Sequence, residues 1–172
     1  ATLDGSFDDL AIAHEARVGE LDIGGTVLTR LRQEGTARYD GTRWTLPLDL
    51  TVARIASGNA MVDPRLVDGT GRGTLVLTGS TLLADDLRLS FPSAAANLAL
   101  RGDLARGSYR IRGPVRAQGL ALDDIGTAGG TAVIDFALAP GAPWRLSAEL
   151  DARIAPVTNA TLANLAGTPI RV

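Results

Sequence analysis

The chain has 172 residues, 45% hydrophobic and 21% charged, with a formal net charge of −2. That balance excludes a disordered chain and gives no electrostatic basis for binding nucleic acid. Cysteine is absent, which excludes disulfides, thiolate nucleophiles and cysteine-ligated metals, and all 17 basic residues are arginine. No apolar run approaches the roughly 18 residues of a membrane helix. The chain opens at Ala1 without a signal-like segment and stops at Arg171-Val172, where a strand is beginning. It reads as one β segment over residues 1–172, a piece of something longer.

In chain order, the stretch from Leu10 to Glu20 fits either helix or strand. Tyr39-Asp40-Gly41-Thr42, between two alternating stretches, is the strongest hairpin signal. Trp44, Leu46, Leu48, Leu50 and Val52 share one phase against Thr45, Asp49 and Thr51. Pro47 cannot donate to a ladder and predicts a bulge or irregular pairing there. Gly69-Thr70-Gly71-Arg72-Gly73 reads as a loop leading into a strand that carries Leu75 and Leu77. Alternation returns at Leu87, Leu89 and Phe91, and at Leu98, Leu100 and Leu104. It returns again at Tyr109, Ile111 and Val115 against Arg110, Arg112 and Arg116. Ala132, Ile134, Phe136 and Leu138 oppose Asp135, and Trp144, Leu146, Ala148 and Leu150 oppose Arg145, Ser147, Glu149 and Asp151. Gly79, Gly102, Gly107, Gly113, Gly119 and Gly129-Gly130 read as the turns between runs. Thr158 to Leu165, with Thr158 as N-cap, predicts one or two helical turns.

Period two means strands with one apolar and one polar face. Face asymmetry suits antiparallel pairing, and connections too short for crossover helices make consecutive strands neighbours. The prediction is an all-β fold: an elongated, twisted antiparallel meander curling into an open hydrophobic groove or half-barrel. The other reading of the same strands is a closed sandwich with a sealed core. Asp8-Asp9-Leu10, Asp85-Asp86-Leu87 and Asp123-Asp124-Ile125 mark a loose repeat of uneven spacing. Both ends should carry unpaired strand edges, so self-association is expected.

Residues able to carry chemistry are few. The Asp pairs invite acid–base or calcium readings, but neighbours on a strand point to opposite faces, so Asp85 and Asp86 read as solvated edge residues. His14 is the only histidine, beside Glu15, with no Ser or Cys partner evident. The glycine run at 69–73 lacks the Lys-Ser/Thr ending of a phosphate loop. Asn159-Ala160-Thr161 matches a glycosylation acceptor. Arg110, Arg112 and Arg116 could meet lipid phosphates or an acidic partner; the plainer reading is cross-strand pairing with Asp103 or Asp135. Trp44 and Trp144 read as ordinary packing at the ends of the trough. No nucleophile–base–orienter set can be assembled, so no enzyme, cofactor or metal is expected.

Several segments carry a likeness: Tyr39 through Leu48, Asp63-Pro64-Arg65-Leu66, Asp85 through Pro92, Leu100-Arg101-Gly102-Asp103-Leu104, and Val157 through Gly167. Together they resemble the AsmA-like bridge proteins of Gram-negative bacteria, and within them the TamB family, over most of the chain from about residue 27. The resemblance implies an interior stretch of a long periplasmic protein anchored in the inner membrane. It implies a β-taco trough with an aliphatic concave face, phospholipid transport between the membranes, and outer-membrane protein assembly alongside a TamA-like barrel. That barrel's contacts would lie in parts of the parent outside this chain.

The groove candidates on the apolar phase are Leu46, Leu48 and Leu50, then Leu75 and Leu77, then Leu87, Leu89 and Phe91. Leu98, Leu100, Ile111, Ile134, Phe136, Leu146 and Leu150 complete the set. Fully burying one such side chain gains about 1.5–3 kcal/mol, so the face must be packed, closed or bound to something. Left open, it is a candidate acyl-chain track with a self-packed base and a wet rim. The other functional reading is a structural or adhesive β-repeat module with a sealed core.

Overall fold

The computed structural model describes residues 1–6, 8–23, 25–60, 62–122, 126–143, 145–157, 164 and 170–171. The Thr158–Leu165 helix, Trp144, the Asp123-Asp124-Ile125 repeat and the Asn159 acceptor all lie wholly or mainly outside the described residues. The fold is all-β. Its strands are β1 (Thr2–Ser6), β2 (Asp9–Ile23), β3 (Thr26–Tyr39), β4 (Arg43–Ala56), β5 (Val67–Thr78), β6 (Thr81–Phe91), β7 (Ala94–Asp103), β8 (Ser108–Leu122), β9 (Gly126–Leu138), β10 (Arg145–Val157) and β11 (Ile170–Arg171). They form one antiparallel sheet in strict chain order, the expected meander.

The sheet is a single open layer. Substantial contacts between strands join chain neighbours only, so no strand covers another's face. The closed sandwich is therefore not the fold. Among the described residues, Val52 and Ala84 are the buried apolar side chains, at 9% and 3% exposure. The accessible surface of 11195 Å² exceeds the roughly 8,000 Å² expected of a compact monomer of this mass, because a one-layer sheet has no interior.

Local chemistry sets the connections. At the β3–β4 hairpin, Asp40 Oδ1 accepts from the backbone N–H groups of Thr42 and Arg43, and Gly41 takes φ +81°, which favours glycine. Tyr39 and Trp44 stack across the hairpin at 5.0 Å. Between β4 and β5, Asp63 is buried and accepts from Ser57 N–H, Ser57 hydroxyl and Gly58 N–H, and those bonds hold its carboxyl below its ordinary pKa. Asp63–Arg65 is a single 3-10 turn.

The ambiguous stretch from Leu10 to Glu20 is strand, pairing with β3 from Leu10↔Tyr39 to Glu20↔Thr29. The irregular pairing expected at Pro47 takes a specific form. Gln33 Nε2 donates to the Pro47 carbonyl and Gln33 Oε1 accepts from Asp49 N–H, so an amide side chain bridges the stretch that proline interrupts. Leu104 lies in the turn after β7 and is exposed, outside the strand its alternation suggested.

Several glycines read as turns lie within strands. Gly69, Gly71 and Gly73 belong to β5, Gly102 to β7, Gly113 and Gly119 to β8, and Gly129-Gly130 to β9. At Gly113 and Gly130 the reason is close approach. A Cβ on Gly113 would stand 2.1 Å from the Asn97 carbonyl oxygen, and one on Gly130 would stand 2.3 Å from that of Asp151. Composition marks such positions as breaks, whereas the ladder uses them where a neighbouring backbone leaves no room.

Candidate functional site

Register aligns the apolar phase of every long strand into rows across the sheet. One row runs Leu10, Tyr39, Trp44, Leu77, Leu82, Gly102, Tyr109 and Leu138, each paired with the next. Another runs Gln33, Leu50, Gly71, Leu89, Ala96, Val115, Ala132 and Leu150. Side chains directly opposite in an antiparallel ladder share a face. All fifteen groove candidates stand in this phase, whether on these rows or on the parallel ones Leu46↔Leu75, Leu48↔Gly73, Leu87↔Leu98, Phe91↔Ala94, Gly113↔Ile134 and Leu100↔Ile111↔Phe136↔Leu146.

The phase holds across β6 only because of a bulge. Ala84 pairs with Leu100 but Leu87 pairs with Leu98, so Asp85 and Asp86 together oppose one residue of β7. The extra residue switches parity, and Leu82 and Ala84 join the same face as Leu87 and Leu89. Leu82 and Ala84 are missing from the sequence-derived groove set. The interruption of alternation at the Asp pair was the available signal. The two carboxylates are structural: Asp86 accepts from Thr74 N–H and Asp85 pairs with Arg101. Among the described residues, no group of three or more His, Asp or Glu gathers as a metal site.

The glycines of β5 shape the middle of the face. A Cβ on Gly69 would lie 2.3 Å from Phe91 Cε1 and 2.9 Å from Val52 Cγ1. One on Gly71 would meet Leu50 and Leu89 at 3.2 and 3.3 Å, and one on Gly73 would meet Leu87 at 2.9 Å. Side chains of β4 and β6 thus lean over a glycine floor. The glycine run at 69–73, expected as a loop, is this floor within β5. Toward the far side the face opens, with Leu138 at 42%, Leu146 at 56% and Leu150 at 63% exposure.

The opposite face is charged and internally paired. Arg110 grips Asp135 through two bonds, 2.8 Å from Nε to Oδ1 and 2.5 Å from Nη2 to Oδ2, with Arg112 at 3.6 Å. Arg110 holds the Asp135 carboxyl below its ordinary pKa. Cross-strand pairing therefore accounts for Arg110 and Arg112. Arg116 borders a hollow lined also by Gly129, Asp151 and Arg153. His14 Nε2 lies 3.5 Å from Gln33 Nε2, a polar spot at the β2–β3 end of the apolar phase.

The arrangement can offer a wide, mainly apolar surface to a flexible hydrocarbon, with polar groups gathered at its β2–β3 end. No protein-family model, curated protein or solved structure matches the chain.

Proposed function

We propose that this chain is a non-enzymatic segment of a periplasmic bridge of the AsmA-like, TamB-related kind, in a parent anchored in the inner membrane. Its apolar face carries phospholipid acyl chains between inner and outer membranes and supports outer-membrane protein assembly with a TamA-like barrel. The observation that supports this reading is the uncovered apolar face, continuous across the strands of a one-layer sheet. Contiguous apolar patches beyond a few hundred Å² are rare on soluble monomers, and an uncovered apolar face is where a hydrophobic ligand would sit. A structural or adhesive module would be expected to seal the same side chains in a core. Acyl chains slide along apolar side chains, while a carboxylate placed in their path cannot be solvated by them.

The test is photo-crosslinking in cells of the protein in its native length. A photoreactive residue at Leu100, Ile111 or Phe136 should capture phospholipid, and one at Arg110 or Arg112 on the polar face should not. Leu146→Asp, at an exposed position, should leave the fold intact and stop lipid transfer. Lipid capture absent at every inner-face position would overturn the reading.

A further inference from the structure

We propose that a hollow on the polar face, between Arg30 and Asp68, binds a small zwitterion whose anionic group meets the arginine and whose ammonium meets the aspartate. The proposal is independent of what the apolar face binds. Among the described residues, Arg30 (φ +51°) and Asp68 (φ +49°) are the two non-glycine residues in the left-handed region. Aspartate tolerates that region better than most residues, whereas arginine seldom enters it. Both lie within strands, Arg30 in β3 and Asp68 in β5, so the ladders around them hold the strain in place. Strain of this kind gathers at ligand clamps and switches, which directs attention to what the two side chains share.

The two strained positions fall on one line across the interior of the sheet. The β2–β3 ladder is continuous from Leu10↔Tyr39 to Ile23↔Thr26 except where Gly19 faces Arg30. The β4–β5 ladder is continuous from Val52↔Gly69 back to Arg43↔Thr78, and resumes at Arg54↔Val67 after omitting Ala53 and Asp68. The register of β3 on β4 sets Arg30 opposite the same Ala53. Arg30 and Asp68 therefore flank one alanine, with their backbones two strand spacings, or about 10 Å, apart. Around that alanine lies a hollow of about 340 Å³, lined by both charged residues and by Thr51 and Thr70. That volume suits a small ligand. Thr51 and Thr70 stand directly opposite one another, and their hydroxyls can donate or accept.

The two charges are uncommitted. Among the described residues, neither the Arg30 nor the Asp68 side chain takes part in an ion pair or hydrogen bond. The next arginine on this face of β3, Arg32, is held by Glu15 and Glu34, and Arg72 on β5 lies 3.7 Å from Asp49. A guanidinium fork fits a phosphate or carboxylate through parallel bonds, and a carboxylate accepts from an ammonium. A ligand of one charge would be attracted by one side of the hollow and repelled by the other, so the pair selects a molecule that carries both. An aminoalkyl phosphate has that chemistry, whether free or as the headgroup of a phospholipid.

An NMR titration of the 172-residue protein with phosphoethanolamine should shift the amides around Arg30, Ala53 and Asp68 saturably, with inorganic phosphate and ethanolamine each bound about tenfold more weakly or worse. Arg30→Gly and Asp68→Gly should each weaken phosphoethanolamine binding by about tenfold or more. Neither should lower the unfolding midpoint, because glycine takes a positive φ freely. Asp68→Arg should invert the preference, so that inorganic phosphate binds more tightly than phosphoethanolamine, an exchange that a purely structural role would not produce. Phosphatidylethanolamine vesicles that displace the soluble compound, where phosphatidylglycerol vesicles do not, identify a lipid headgroup as the source; if neither displaces it, the ligand is a free zwitterion. No saturable binding, inorganic phosphate bound as tightly as phosphoethanolamine by the unaltered protein, or glycine variants that lose stability through a broken Arg30–Asp68 pair would each overturn the proposal.

Discussion

The centre of the sheet and its outer strand carry the same pattern in sequence and behave differently in space. Leu48, Leu50 and Val52 on β4 alternate as Leu146, Ala148 and Leu150 do on β10, yet Val52 is 9% exposed and Leu150 63%. The difference lies across the strand. β4 pairs with the glycines of β5, over which Phe91, Leu89 and Leu87 lean from the other side. Among the described residues, β10 pairs fully with β9 and through only Arg153 and Ile154 with β11. In a one-layer sheet burial comes from side chains leaning over small neighbours, since there is no second layer to supply it.

The largest effect that would test this contrast is a buried charge. Val52→Asp places a carboxylate beneath Phe91 and should cost about 3 kcal/mol or more. Leu150→Asp, reaching water, should cost under about 1 kcal/mol. Urea unfolding of dilute protein compares them, and equal losses would break the distinction between centre and edge. Next comes truncation. Phe91→Ala uncovers the glycine floor and should cost about 2–3 kcal/mol, while Leu146→Ala should cost less than half as much. Smaller again is Gly69→Ala. Alanine ordinarily suits a strand better than glycine, but here its Cβ would stand 2.3 Å from the Phe91 ring, so the substitution should lower the unfolding midpoint. The same change at Gly19, which has open space around it, should not.

The smallest effect is on pH. Asp63, Asp40, Asp103, Asp135 and Glu15 all have carboxyls lowered by hydrogen bonds or arginines. A lowered folded pKa contributes stability that is present above the unfolded value and lost as pH falls through the folded one. Stability should therefore decline on acidification below about pH 4. Asp63→Asn should flatten part of that decline, acting on the β4–β5 connection and leaving β10 untouched. Amide hydrogen exchange on the two regions reads this separately, and an equal change in both would count against a local role.

Much of this was legible in the residues themselves. Period-two alternation fixed strand identity and which side chains share a face, because successive Cβ atoms point to opposite sides whatever the strand packs against. The Tyr39–Thr42 turn was legible because Asp and Gly at those positions close a hairpin locally. Short connections implied sequential neighbours, and the paired arginines of β8 were anticipated from their common phase with Asp135. The bulge at Asp85-Asp86, the bridging amide of Gln33 and the in-strand glycines were not legible. Each depends on what stands opposite in a neighbouring strand, and register is a property of pairs of strands. Whether the apolar face is sealed or open is of the same kind. Alternation is identical in a sandwich and in a single layer, so only the tertiary arrangement, in which no distant strand returns to cover the leucines, decided that the face meets solvent.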